Sequence, residues 1–508
     1  MKNIFLYGPP GTGKSTVGKK LAGNLKLPFV DLDRVVATNA GMSIPQIMET
    51  YGEPAFRDLE TTALKDAVGH ASSMTPPHGS VIALGGGALL REENRAFAEE
   101  NGQIILLMAK LPTLLDRLQN EAGERPLLAG NLSMKLSALL VNRGEHYNSF
   151  PLRIQVDGNT AEQNAHQTQV MLGRHHLSAM GEYDSIVGGV SNLTNFPMQN
   201  PIIVTDENVA KFHLEKIQSI LNAKSIVVPA GEAHKNLETI SQLWHGFVEA
   251  GLDRKSTVIA LGGGVVGDMA GFAASTYMRG IDWIGVPTTL LSMVDASLGG
   301  KTGFDLPEGK NLVGAFYPPK LVLADPSLLL TLSDRELRSG MAEVVKHGII
   351  SDPDLFAMCN RGMDWVKDNL EEVVKRAMAV KIKVIEEDPY EKGIRAALNL
   401  GHTVGHAVEL VSKFELRHGE AIAIGMVAEA QYSARVGLAT VGLVEAVTES
   451  LKALGLPIHI PEDMPRGEII HAMRMDKKKN AKAIRFALPV EIGRVELVDV
   501  TDLEEVLE

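Results

Sequence analysis

The heptapeptide VIALGGG stands at residues 81–87 and again at residues 258–264. Each copy is a four-residue apolar run followed at once by three glycines. A run without polar alternation fits a strand buried on both faces, as in a parallel sheet covered by helices. Serial glycines allow positive φ and remove every Cβ, which lets a polar ligand approach backbone N–H groups at the carboxyl end of the strand. The same turn can also simply join a strand to a helix. The flanks decide whether the copies are related: the first continues ALLREENRAF, the second VVGDMAGFAASTYMRG, and no further register aligns the halves. The repeat therefore reads as one local solution reached twice, within two separate α/β regions.

At 508 residues the chain exceeds one ordinary core and suggests about two to four domains. Its 45% hydrophobic and 22% charged residues are those of a globular protein. No run approaches the roughly 20 apolar residues that span a bilayer. The start MKNIFLYG enters a strand pattern without a leader-like apolar stretch, so a cytoplasmic location and no membrane partner are expected. A net charge of −12 argues against a nucleic-acid partner, and the basic run DKKKNAKAIR reads as a solvated face. The single cysteine, Cys359, excludes an intrachain disulfide and a cysteine-based zinc site. Any metal must use histidine and carboxylate.

The opening KNIFLYGPPGTGKSTVGKKLA places Gly8, four residues, and then Gly13, Lys14 and Ser15 between a strand and an amphipathic helix. This is a Walker A loop, in which N–H groups at a helix N-terminus cradle phosphate, the lysine adds charge and the hydroxyl reaches Mg²⁺. The strand LPFVDLD then offers Asp31 and Asp33. FRDLE supplies Arg57 and Glu60, the first triple glycine follows, and GERPLLAG carries Arg125. Arginine forks and an aspartate suit a small carboxylated polyol. In this order the motifs resemble shikimate kinase over roughly residues 1–173, a P-loop parallel-sheet fold. The resemblance implies ATP at Gly8, Gly11, Gly13, Lys14, Ser15 and Thr16, with Mg²⁺ at Ser15 and Asp31. It implies shikimate at Asp33, Arg57, Gly85, Gly86, Gly87 and Arg143, and catalytic roles for Lys14, Asp33 and a lid arginine, Arg125. The family often has proline two residues after the arginine matched by Arg143; here Glu145 stands there.

A linker is expected over residues 174–182, with His175 and His176 exposed. Beyond it, GGGVVGD satisfies G-x-G-x-x-G after a strand and before a helix, as a dinucleotide site requires. IIVTDENVA ends another strand in an acidic turn, and VVPAGEAHKNLETI carries Glu232 and Lys235. These give an α/β nucleotide-binding part over residues 183–325. Residues 326–508 then read as mainly helical. LNLGHTVGHAVEL puts His402 and His406 one turn apart, LRHGEAIAIGM adds His418, and RSGMAEVVKHG offers Glu343. Histidines at i and i+4 share a helix face and could grip a metal.

SMVDASLGGKTG, GKNLVGAF, RSGMAEVVKHG, RAALNLGHTVGHA and RHGEA, in that order, resemble 3-dehydroquinate synthase from about residue 183 to the end. The resemblance replaces the His402–His406 pairing with a metal set of Glu343, His402 and His418, for Zn²⁺ or Co²⁺, and leaves His406 to substrate. It implies NAD at Asp206, Glu232, Lys235, Gly263, Gly264, Asp268, Thr288 and Thr289. Substrate would meet Asp295, Lys301, Lys310, Asn311, Lys346, Lys381, Arg395, Asn399 and His406, with Lys301, Lys346, Arg395 and His406 catalytic. Lys477 or Lys478 of DKKK would reach the phosphate, and Asp388 and Glu391 would support Arg395. The implied reaction converts 3-deoxy-D-arabino-heptulosonate 7-phosphate by oxidation with NAD, loss of phosphate, return of the hydride and an aldol closure. A homodimer through this half is also implied. The alternatives are another sugar-phosphate cyclase, a metal-dependent alcohol or glycerol dehydrogenase, or an inactive binding module in one half.

Overall fold

The computed structural model describes residues 2–73, 79–119, 131–476 and 483–508, so the expected site residues Arg125, Lys477 and Lys478 lie outside the described residues. The chain divides into two compact units, Met1–Leu172 with Asn195–Pro197, and Gly173–Thr194 with Met198–Glu508.

In the first unit, β1 (Asn3–Tyr7), β2 (Phe29–Asp31), β3 (Val81–Ala83), β4 (Gly102–Met108) and β5 (Arg153–Gln155) form one sheet in the order β2-β3-β1-β4-β5. Every pairing is parallel. The apolar run of β1 has two destinations: Phe5 and Tyr7 enter one core with Ile82 and Leu106, while Ile4 and Leu6 enter another with Val81, Ile105 and Leu107. Both sheet faces are thus covered, which is why these strands lack alternation. Since β1 lies between β3 and β4, the loop after it opens where the chain direction of the sheet order reverses, the usual ligand crevice of such sheets.

The second unit holds a seven-stranded sheet built from β6 (Arg174–Leu177), β7 (Tyr183–Val187), β8 (Gln199–Asp206), β9 (Lys224–Val228), β10 (Ser256–Gly262), β11 (Asp282–Pro287) and β14 (Leu321–Ala324). Their order is β6-β7-β14-β11-β10-β8-β9, parallel except for β6 against β7. Two hairpins stand apart, β12 (Lys301–Leu306) with β13 (Gly309–Phe316) and β15 (Ile484–Glu491) with β16 (Arg494–Val500). Residues 334–476 of the second unit are mainly helical, with long helices at Asp334–Ser351, Leu370–Glu387 and His418–Arg435.

Two expectations are corrected here. The stretch expected as a linker begins with β6, an edge strand of the large sheet: three of its four residues are polar, yet it pairs with β7, and Arg174, His175 and Leu177 are buried. His175 is only 5% exposed, and His176 is part-buried with Nδ1 2.8 Å from Asp184 Oδ1. Secondly, none of Gly85–Gly87 or Gly262–Gly264 has positive φ. The first triple glycine leads into a short turn, Ala88–Leu90, whereas the second starts the helix Gly264–Thr276, so the identical heptapeptides have different local structures.

Candidate active sites

After β1 the chain turns through Gly8, Gly11 and Gly13, with φ of 141°, 82° and 83°, into the helix Lys14–Asn24. At Gly8 an added Cβ would collide with the carbonyl of Leu107, so glycine is required twice over, by φ and by space. No side chain caps the helix at Gly13, leaving its first N–H groups to a ligand. Lys14 Nζ donates to the carbonyls of Gly8 (2.9 Å) and Pro9 (3.0 Å). Ser15 Oγ donates to Asp31 Oδ2 at 2.6 Å, while Asp31 also caps the next helix at Arg34. Lys14, Ser15, Thr16, Asp31, Asp33 and Gly86 line a cleft of about 500 Å³.

Next to Gly86, which lines that cleft, charged side chains meet the glycine turn. The helical stretch Ile44–Ser73 breaks at Gly52, and its second segment carries Arg57 and Glu60. Arg57 bonds Glu60 at 2.8 Å and Glu53 at 3.0 Å. Burial pushes the Glu60 carboxyl up, with Arg57 opposing. A Cβ on Gly85 would meet the carboxylates of Glu60 and Asp33, and one on Gly87 would lie 2.6 Å from Arg57 Nη2. The glycines therefore make room for the protein's own charged side chains, not only for a ligand. The Gly86 carbonyl accepts from Arg143 Nη1 (2.8 Å), Tyr147 OH (3.2 Å) and Tyr7 OH (3.4 Å). Sequence reading missed Tyr7 and Tyr147, which look like core aromatics, and Arg117, which donates to the Gly11 carbonyl at 3.4 Å.

In the second unit the nucleotide-type residues collect at the carboxyl ends of β8, β10 and β11. Asp206 ends β8 and accepts from the N–H groups of Asn208 and Val209. Gly263 and Gly264 begin the helix after β10; a Cβ on Gly263 would lie 3.2 Å from Thr289 Cγ2, and Thr288 N donates to the Gly262 carbonyl. Lys235 is 4% exposed and bonds Asp268 at 2.7 Å and Asn311 at 2.6 Å. Burial opposes its charge, but Asp268 raises its pKa. Lys310 reaches Glu232 at 3.9 Å and Glu409 at 3.7 Å.

Three helices bring the metal-type ligands together. Glu343 Oε1, from Asp334–Ser351, lies 3.5 Å from Nε2 of both His402 and His418. The three histidines also cluster, with ring nitrogens of His402, His406 and His418 all within 4.8 Å of one another. Second contacts distinguish among them. His402 Nδ1 lies 3.1 Å from the Leu400 carbonyl and His418 Nδ1 3.2 Å from Glu409 Oε2, so both rings turn Nε2 toward Glu343. An acceptor at Nδ1 fixes the proton there and frees Nε2 as a ligand. Burial would lower the His418 pKa, but Glu343 and Glu409 push it up to about 9, so a metal ion binding at Nε2 must displace a proton. Glu343, fully buried, also contacts Lys346; burial resists its ionisation, while Lys346 and the histidines hold it well below the usual carboxylate range.

Around this centre sit paired cations. Lys381 bonds the carbonyl and carboxylate of Asp295 at 2.7 and 2.6 Å. Glu391 bonds Lys301 at 2.5 Å and Arg395 at 3.3 Å, and Asp388 accepts N–H bonds from Lys392, Gly393 and Arg395. Asn399 is exposed at the end of the turn Ile394–Asn399. Sequence reading missed Glu409, for which only its position on the His402 helix was available. It also missed His347, fully buried one turn beyond Glu343 and pushed down to about 3 by burial and Lys346.

Comparison with known proteins falls along the same division. Residues 10–172 match the family model for shikimate kinase, residues 225–339 that for the 3-dehydroquinate synthase N-terminal region, and residues 340–479 that for its C-terminal region. A 3-dehydroquinate synthase of Caldanaerobacter subterraneus subsp. tengcongensis is 44% identical over 315 residues, covering 60% of this chain and 88% of that protein. Among solved structures, a 2-deoxy-scyllo-inosose synthase complexed with carbaglucose-6-phosphate, NAD⁺ and Co²⁺ is 28% identical with a TM-score of 0.60, covering 66% of this chain and 98% of the other. A 2-epi-5-epi-valiolone synthase from Streptomyces hygroscopicus subsp. jinggangensis with NAD⁺ and Zn²⁺ is 29% identical with a TM-score of 0.57, covering 64% and 94%.

Proposed function

This chain belongs to the 3-dehydroquinate synthase family and carries a shikimate kinase domain ahead of that region, and we propose that it catalyses both reactions. In the first unit ATP phosphorylates shikimate to shikimate 3-phosphate. In the second, 3-deoxy-D-arabino-heptulosonate 7-phosphate is cyclised to 3-dehydroquinate with release of phosphate. The observation that carries the second assignment is the meeting of Glu343, His402 and His418 amid buried lysines. An alcohol dehydrogenase would have no use for those lysines.

In the kinase, Mg²⁺ and ATP supply the electrophilic phosphoryl group, and the adjacent Ser15 hydroxyl and Asp31 carboxylate suit that ion. The P-loop N–H groups and Lys14 hold the phosphates. Asp33 takes the proton of the acceptor hydroxyl, and Arg57 and Arg143 bind its carboxylate. Arg125 serves as the lid arginine.

In the synthase, Glu343, His402 and His418 fit a divalent ion, Zn²⁺ or Co²⁺: the carboxylate oxygens are buried without a well-formed hydrogen bond, and both Nε2 atoms face them. When bound, NAD and that ion supply reversible hydride transfer and Lewis acidity. Asp206, Glu232, Lys235, Gly263, Gly264, Asp268, Thr288 and Thr289 hold the nucleotide. Lys301, Lys310, Lys346, Lys381 and Arg395 neutralise the substrate phosphate and carboxylate, while Asp295, Asn311, Asn399 and His406 meet its hydroxyls. The protein works as a cytoplasmic homodimer joined through the second unit, without nucleic acid.

The test is phosphate release from the heptulosonate phosphate with trace NAD, on chelated protein and after restoring metal. Metal-dependent release of 3-dehydroquinate without accumulating NADH supports this reading. A different carbocycle would make the second unit another cyclase, and NADH accumulating on simple alcohols would make it a dehydrogenase.

A further inference from the structure

The helix His402–Val411 starts without a cap of its own. Its N-cap residue, Gly401, has φ 78° and no side chain, so the capping groups must come from elsewhere. They come from the helix that bears His418. Glu429, 0% exposed, accepts the Gly401 N–H at 2.6 Å, one and a half turns before the end of the helix His418–Arg435. A fully buried carboxylate is costly unless something fixes it there, and the positive end of a helix does so.

The contact is made possible by glycine at the crossing. A Cβ on Gly401 would lie 2.7 Å from Met426 Cγ and 2.8 Å from the Ile422 carbonyl, and one on Gly425 would strike the Gly401 carbonyl. The two helices therefore touch backbone to backbone, and Glu429 closes that contact. The neighbouring peptide has a second task, since the Leu400 carbonyl is the acceptor beside His402 Nδ1. One two-residue segment thus orients the His402 ring through its carbonyl and is tied to the His418 helix through its next N–H.

We infer that Glu429 is a positioning residue of the metal centre: by fixing Leu400–Gly401 it sets the direction of His402 Nε2 relative to His418. Its contact is with the Gly401 N–H, one residue before His402. The inference rests on Glu343, His402 and His418 being the metal ligands.

The test uses the full chain, freed of metal and titrated with Co²⁺ alone, following the visible absorption of the bound ion and competition with a chelator. Wild type, Glu429→Gln, Glu429→Asp and His418→Ala are compared, with far-UV circular dichroism and NAD binding as checks of folding. Glu429→Gln keeps shape but weakens the acceptor; its Kd for Co²⁺ is expected to rise about 10- to 100-fold with an altered spectrum, the usual effect of losing a support behind a ligand. Glu429→Asp should fall between it and wild type. Folded Glu429→Gln with wild-type affinity and spectrum overturns the inference, as does loss of folding in both Glu429 variants, which would make the residue one of packing only. If wild type and His418→Ala bind Co²⁺ alike, the metal-site reading itself fails, and that outcome is distinct from the others.

Discussion

A Cβ placed on Gly87 would lie 2.6 Å from Nη2 of Arg57, thirty residues earlier in the chain. Arg57 is already fixed by Glu60 and Glu53, so it cannot yield without losing charged hydrogen bonds. Gly87→Ala is therefore expected to raise KM for shikimate about tenfold or more, the scale of one charge-assisted bond, with KM for ATP and synthase activity nearly unchanged. Initial-rate kinetics on both activities would check it; an equal rise in both kinase KM values would point to general disruption.

The same pair shows how far the sequence could be read. VIALGGG announces a buried strand and a glycine turn, and both copies fold that way at the strand. What the glycines make room for depends on Arg57, Glu60 and Asp33, whose approach is created by the tertiary fold. Local motifs with chain-order constraints, such as the P-loop or the His402 and His418 stretches, were legible. Glu409, Glu429 and Tyr147 were not, because each acts through a partner brought in by packing and resembles an ordinary helix residue. β6 was hidden for a related reason: RHHL becomes a strand by pairing with β7, against its polar composition.

The two sites use separate residues, so their losses should be separable. Lys14→Ala is expected to reduce kinase kcat about 100-fold or more while leaving synthase rates intact. His418→Ala should abolish synthase activity and spare the kinase. Chelation followed by excess Mg²⁺ should restore only the kinase. Parallel assays on one preparation of each variant would check this, and a variant that stopped both reactions while remaining folded would contradict it.

Asp295 and Lys381 form an ion pair whose side chains are 27% and 9% exposed. Burial would raise the Asp295 pKa, but Lys381 holds it at about 2, below the ordinary 3.8. A depressed carboxyl stabilises the fold above its unfolded pKa and loses that contribution as pH falls from 3.8 towards 2. Asp295→Asn leaves the lysine buried without its partner and should cost about 3 kcal/mol, the low end for such pairs because Asp295 keeps some solvent. Burial already lowers the Lys381 pKa and Asp295 opposes that, so without Asp295 the lysine gives up its proton more readily and the cost should be no larger at pH 8 than at pH 6. Denaturation of the second unit, followed through loss of NAD binding, would measure it.

His146 gives the same sign of pH dependence in the first unit, but in a higher pH window. Its Nε2 lies 3.1 Å from Tyr7 OH, within the aromatic group that supports the Gly86 turn, and its ring stands edge-on to Tyr7 and Phe150. Burial, with Arg95 and Arg143 nearby, lowers its pKa below the ordinary 6.5. The unfolded chain then takes up the proton more readily than the folded one, so stability is full above about pH 6.5 and declines as pH falls towards the folded value. Heating the full chain at pH 7.5 and at pH 5.5 and assaying residual kinase should give a lower half-inactivation temperature at pH 5.5. His146→Gln cannot titrate, and should narrow the gap between the two temperatures. An unchanged gap would mean that other groups carry the acid sensitivity of this unit.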